Sequence, residues 1–191
     1  EKYMHYVEEN FDNPKEIWEN YFDQQMDEYQ RILVELVVYT SRAIPEAALK
    51  RAFNRISSYA DKRNKQSFSQ AIRFEKLVEV LVGSVLTKRL SFWSEVQYST
   101  FNPSINDYIL EQNRNSPDHI LQIVIALKQT DSLYLLSSMV NERKVDLECF
   151  QLVILSLVEC KSEFVKSFLV ELAALIIDHE IYNSKTENFI D

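Results

Sequence analysis

Glycine is nearly missing from this chain, because Gly83 is the only glycine in 191 residues. A phosphate-binding loop of the form Gly-x-x-x-x-Gly-Lys-Ser/Thr needs two glycines, so this motif is excluded. A Gly-x-Ser-x-Gly nucleophile elbow is excluded for the same reason. We therefore expect neither an enzymatic active site nor a bound cofactor within these residues.

Cysteine, histidine and long apolar runs are also scarce. Cys149 and Cys160 have no Cys-x-x-Cys or Cys/His spacing, which argues against a disulfide framework and a zinc site. No uncharged apolar run of about 18 residues occurs, so we expect no membrane partner and a cytoplasmic, reducing location. The first residues do not form a signal peptide, and we expect the chain to belong to a longer protein. The histidines are predicted to be surface or helix-cap residues: His5, His119 and His179.

The chain is instead rich in apolar and helix-forming residues. Apolar residues make up 46% of the sequence, which is enough for a buried core. All four prolines stand where a helix is predicted to begin, at Pro14, Pro45, Pro103 and Pro117. We expect a mainly α fold. The predicted N-terminal helices cover residues 2–10, 14–23, 26–40, 45–63 and 68–82.

A β-hairpin is predicted between two of these helices. Gly83 is placed to take a left-handed conformation where a helix ends. Polar and apolar residues alternate over 84–90 and 95–101, with a turn near 91–94, and Asn102 then caps a new helix. Helix, hairpin and helix in this order predict a winged helix over residues 13–112.

A different pattern follows over residues 113–191. Short helices are predicted at 117–129, 131–143, 146–160 and 162–182, joined by very short links. Helices with such short links must run antiparallel. We expect two helical hairpins, the unit of an α-solenoid, although no tetratricopeptide, ankyrin or leucine-rich consensus is present.

Charge is unevenly distributed along the chain, whose net charge is −8. Residues 1–40 carry ten acids and three bases, 41–90 four acids and eleven bases, and 91–191 fifteen acids and seven bases. The basic middle can bind nucleic-acid phosphates or dock on an acidic surface of the same protein, and we favour docking. The candidate residues are Lys50, Arg51, Arg55, Lys62, Arg63, Lys65, Lys88 and Arg89.

Several segments together resemble a known protein family. They are 13–18 (Asn-Pro-Lys-Glu-Ile-Trp) with Phe22, then 33–36, Ile44-Pro45, 81–86 and, above all, 101–109 (Phe-Asn-Pro-Ser-Ile-Asn-Asp-Tyr-Ile). In this order and spacing they resemble the region that follows the ATPase core in novel STAND NTPases of the third type. Such proteins are common in bacterial anti-phage defence. The resemblance covers about residues 8–112, and the later helices resemble the repeat arm more vaguely.

The resemblance implies a regulatory role. In such proteins the winged helix packs on an ADP-bound core and swings away when the repeat arm senses a trigger. Residues 1–12 would then end a preceding helical domain, and ATP or ADP would bind elsewhere in the parent protein. Related receptors carry a Met-His-Asp signature that touches the nucleotide. The histidine position matches Asn102 most nearly, so Asn102 is the only candidate for a nucleotide contact. The alternative hypothesis is a nucleic-acid-binding winged helix with a helical dimerisation domain.

Overall fold

The computed structural model describes residues 17–64 and 74–190, with side chains for 17–58 and 74–190. The predicted helix 2–10, residues 11–16 and the start of the predicted helix 68–82 lie outside the described residues. The mainly α fold is confirmed. A π-helix (Glu19–Gln25) comes first, where a helix over 14–23 is predicted. The α-helices are α1 (Glu28–Val38), α2 (Glu46–Asn64), α3 (Phe74–Leu81), α4 (Pro103–Asn113), α5 (Pro117–Leu127), α6 (Thr130–Asn141), α7 (Leu147–Glu159), α8 (Lys166–Asp178) and α9 (Ser184–Ile190). The strands are β1 (Ile44–Pro45), β2 (Leu86–Leu90) and β3 (Val96–Thr100).

The first part of the described chain has the topology of a winged helix. Its order is α1, β1, α2, α3, β2, β3, and the sheet order is β1-β3-β2. The predicted hairpin is β2 with β3, but β1 adds a third strand that the sequence did not predict. Antiparallel pairing of Ile44 with Tyr98 and Pro45 with Gln97 forms this strand. It consists of two residues, too few for an alternating pattern to be recognisable.

The turns around the hairpin follow from local chemistry. Gly83, two residues after the last residue of α3, has φ +92°, as expected for the left-handed position that glycine tolerates best. At the other end of the hairpin, the Ser94 amide donates to the Ser91 carbonyl at 3.0 Å, and Ser94 itself has φ +59°. The two strands are thereby held in a register that pairs Leu86 with Thr100 and Leu90 with Val96.

Helix α1 forms the centre of the winged helix. Asp27 and Gln30 form a reciprocal capping box, because each side chain accepts a hydrogen bond from the other residue's backbone amide. Every residue of α1 from Ile32 to Val38 is buried. The helix packs against α2, α3, α4, α5 and β3, which explains why almost its whole circumference is covered.

The remaining helices stack as predicted for an α-solenoid. Each of these helices contacts the next one in the chain. Helices that are two apart in the chain also pack against each other: α5 on α7, α7 on α9 and α6 on α8. The predicted helix 162–182 is instead a 3₁₀ turn (Lys161–Glu163) followed by α8, and α9 was not predicted. Backbone groups of Phe164 and Val165 are extended, which separates the turn from the helix.

The stack begins inside the winged helix. Helix α2 packs against α5, so α2, α5, α7 and α9 form one continuous layer. The buried apolar residues of the winged helix and of the repeats belong to one hydrophobic cluster. The change in sequence pattern near residue 113 therefore does not coincide with a gap in the core.

Candidate functional site

The three basic residues of α2 whose side chains the structure describes have different surroundings. Lys50 forms an ion pair with Glu75 of α3, and its ammonium lies 5.9 Å from the centre of the Phe74 ring. Arg51 is exposed and has no ion pair in the parts of the chain that the structure describes. Arg55 is half-buried and faces the repeats. These three side chains therefore do not form one free cationic face.

Arg55 binds the end of a repeat helix. Its guanidinium donates a hydrogen bond of 2.6 Å to the carbonyl oxygen of Ala126, in the last turn of α5. Carbonyl groups at a helix C-terminus lack partners within the helix and carry partial negative charge, so a cation is favourable there. Arg55 thus links the winged helix to the repeats by charge as well as by packing.

A second polar link joins α1 to α5. The Glu35 carboxylate, whose side chain is 8% exposed, lies 3.0 Å from Nε2 of His119 in the first turn of α5. Asn113 at the end of α4 also donates to Glu35, at 3.4 Å. The hydrogen bond that His119 donates to Glu35 raises the pKa of His119, and the carboxylate's charge adds to the rise although partial burial opposes it. We call Glu35, Arg55, Asn113, His119 and Ala126 the junction.

The junction was not found by sequence reasoning. His119 was predicted to be a surface or cap residue, but the structure pairs it with a buried carboxylate. Glu35 and His119 are 84 positions apart. A signal was present, because Glu35 is the one charged residue within the apolar run 32–38 and must be paired if it is buried. The sequence does not indicate which residue pairs with it.

Two of the predicted cations lie on the wing, the hairpin of β2 and β3. Lys88 and Arg89 are exposed, and neither has an ion pair within the described ranges 17–58 and 74–190. The other predicted cations are Lys62 and Arg63, whose side chains lie outside the described residues, and Lys65, which lies outside them altogether. A nucleic-acid or docking role for this group of residues stays a prediction.

The wing ends in two exposed aromatic residues. Phe92 is 92% exposed and Trp93 is 84% exposed, and they occupy the centre of the turn between Ser91 and Ser94. Their rings meet edge to face, with centres 5.2 Å apart and planes at 89°. Leu90, at the end of β2, is 70% exposed. We call Lys88, Arg89, Leu90, Phe92 and Trp93 the wing tip.

Asn102 has a structural role at the start of α4. Its side-chain oxygen accepts hydrogen bonds from the backbone amide and the hydroxyl of Ser104, both at 3.0 Å. The Ser104 hydroxyl in turn accepts a hydrogen bond of 2.8 Å from Nε1 of Trp18. The predicted N-cap is thus confirmed. A nucleotide contact of Asn102 stays a prediction.

The possible metal ligands of the described residues are dispersed. Within them, no three His, Cys, Asp or Glu side chains are close enough to hold a metal ion. Both Cys149 and Cys160 are free thiols, and burial raises the pKa of each. None of the described helices combines the length and the apolar character that crossing a bilayer requires.

Comparison with known proteins adds no family. A scan against protein-family models gives no match, and neither the curated proteins nor the solved structures give one.

Proposed function

We propose that this chain is a non-catalytic regulatory part of a STAND-type signalling NTPase in bacterial anti-phage defence. The winged helix restrains an ATPase core of the same protein, and the helical arm formed by α5 to α9 senses a trigger protein. ATP or ADP binds to the core and not to this chain. The support is the resemblance of residues 8–112, the winged-helix topology and the repeats that follow it.

The junction is the observation that carries the mechanism. A switch of this type works by rigid-body movement, which requires that a displacement of the arm reach the winged helix. The ion pair between Glu35 and His119 and the bond from Arg55 to α5 join the two parts directly. Helix α2 adds apolar packing on α5. Binding at the arm then changes the position of the winged helix, and shifts the balance between restrained and released states.

The test uses the complete protein that contains these residues. Its reading frame should encode a P-loop, and its purified product should release a fluorescent ADP analogue slowly. Removing the winged helix and arm together should accelerate release about 5-fold to 150-fold, the usual range of coupling between sites. The separate 191-residue chain serves as control and should not hydrolyse ATP. A reading frame without a P-loop, or unchanged release, contradicts the proposal.

Nucleic-acid binding is the second candidate, because Arg51, Lys88 and Arg89 are exposed cations without ion pairs in the described part of the chain. Two features weigh against it. Lys50 and Arg55 are engaged within the chain, and α3 exposes Glu79, which repels phosphates.

The two candidates differ in a simple measurement. If the chain binds nucleic acid, its affinity for a labelled DNA duplex should fall steeply with salt, and should be lost when Arg51, Lys88 and Arg89 become Glu. Fluorescence anisotropy at several salt concentrations distinguishes this outcome from the absence of binding that the regulatory role predicts.

A further inference from the structure

The turn that carries the wing tip does not need aromatic residues. Its hydrogen bonds are made by other groups: the Ser91 amide donates to the Glu95 carbonyl at 2.8 Å, and the Glu95 amide donates to the Ser91 hydroxyl at 3.1 Å. The residue with positive φ is Ser94. Small polar residues, proline and glycine are usual at the central turn positions, which Phe92 and Trp93 occupy here.

The Phe92 and Trp93 rings are not part of the hydrophobic core of the described residues. They are the two most exposed large apolar side chains in the described residues, at 92% and 84%. Their edge-to-face contact is a favourable aromatic geometry. Leu90 extends the apolar surface towards β2.

The charge around the rings indicates the kind of partner. Lys88 and Arg89 lie on β2, the strand that leads into the turn, and both are exposed and have no ion pair in the described residues. Glu95 is the one acid between residues 86 and 100. The wing tip is therefore cationic in a chain whose net charge is −8. Trp, Phe and Arg are among the residues enriched at protein interfaces. A complementary surface has carboxylates around an apolar recess.

A lipid bilayer fits these observations less well. Lipid-binding basic segments usually carry about four to eight Lys or Arg. Two cations at the wing tip fall short of this number, and an anionic bilayer would repel a chain of net charge −8.

We propose that the wing tip is a docking element for an acidic protein surface, with Phe92 and Trp93 entering an apolar recess and Lys88 and Arg89 contacting the carboxylates that border it. This contact goes beyond the proposed regulatory role and does not depend on it. The partner is a different protein surface from the chain's own repeats, which the winged helix already contacts through Glu35 and Arg55.

The test follows the fluorescence of Trp93. The chain has two tryptophans, so Trp18→Phe leaves Trp93 as the only one. The probe is a synthetic amphipathic peptide of Glu and Leu, compared with the same peptide carrying Lys in place of Glu. We expect a saturable blue shift with the acidic peptide, weaker at high salt, and no shift with the basic one.

Variants identify the contact. We expect two variants to weaken binding of the acidic peptide, each about tenfold or more, as is typical of central interface residues. One is Phe92→Ser, and the other is the double variant Lys88→Glu with Arg89→Glu. Val165→Ser is the matched control, because Val165 is an exposed apolar residue (64%) on the repeats. Far-ultraviolet circular dichroism and thermal unfolding must show that each variant is folded.

Four results would overturn the proposal. The first two are that the acidic peptide causes no fluorescence shift and that the basic peptide binds equally well. The third is that phosphatidylserine vesicles or a DNA duplex bind through the same residues. The fourth is that the chain associates with itself and that Phe92→Ser abolishes this association. Sedimentation measurements without peptide detect the last of these.

Discussion

Replacing His119 by glutamine should destabilise the chain in a way that depends on pH. The His119 ring lies 3.0 Å from the buried Glu35 carboxylate, and this contact raises the pKa of His119 above its ordinary value of about 6.5. Protonated His119 is therefore favoured in the folded state. Its contribution to stability is fully present below pH 6.5 and is lost as the pH rises through the folded-state pKa.

The size of the effect follows from the exposure of the two partners. A hydrogen bond to a charged group contributes about 1.5–3 kcal/mol when it is well buried. The Glu35 side chain is 8% exposed but that of His119 is 37% exposed, so water screens part of the attraction. We expect His119→Gln to lower the free energy of unfolding by about 1 kcal/mol at pH 6. The deficit should shrink towards pH 9.

Urea unfolding at pH 6, 7, 8 and 9, followed by circular dichroism, measures this difference. With a slope of about 2 kcal/mol per molar urea, the midpoint should fall by about 0.5 M at pH 6. Asn113→Ala is the control, because Asn113 binds the same carboxylate and has no titrating group, so its effect should not vary with pH. A deficit for His119→Gln that stays constant, or grows with pH, would refute the reasoning.

Three further substitutions test other contacts. Arg55→Ala should cost about 1–2 kcal/mol in urea unfolding, because the end of α5 loses its cation, whereas exposed Arg51→Ala should change stability by less than about 0.5 kcal/mol. Asn102→Ala should cost about 1 kcal/mol through loss of the α4 cap, and Asn102→Asp should restore most of it; equal losses would contradict the capping role. Ser94→Val should lower the melting temperature more than Ser94→Gly, because a β-branched residue is strained at φ +59°; the reverse order would show that the turn relaxes.

Local signals in the sequence predicted much of the fold. Proline after a capping residue located the starts of α4 and α5, although the side chain of Ser116 makes no capping bond. Gly83 located the end of α3, and alternation located β2 and β3. These features depend on neighbouring residues, which a sequence displays directly.

Contacts between distant residues could not be predicted in the same way. Strand β1 exists because Ile44 pairs with Tyr98, and the junction exists because Glu35 meets His119. Arg55 and Lys50 are both candidates from the basic middle of the sequence, but the stacking of α5 on α2 determines the surroundings of Arg55. Each of these depends on how helices pack, which periodicity alone does not specify.

The continuous layer from α2 to α9 has a consequence for folding. The hydrophobic core is continuous across residue 113, where the sequence pattern changes. Neither half can therefore unfold without exposing apolar surface that the other half buries. Regions with few buried apolar contacts open locally, whereas regions that share a buried core are stabilised together. The described winged helix and repeats should therefore melt in a single transition, and either half made alone should expose the apolar face that the other half covers.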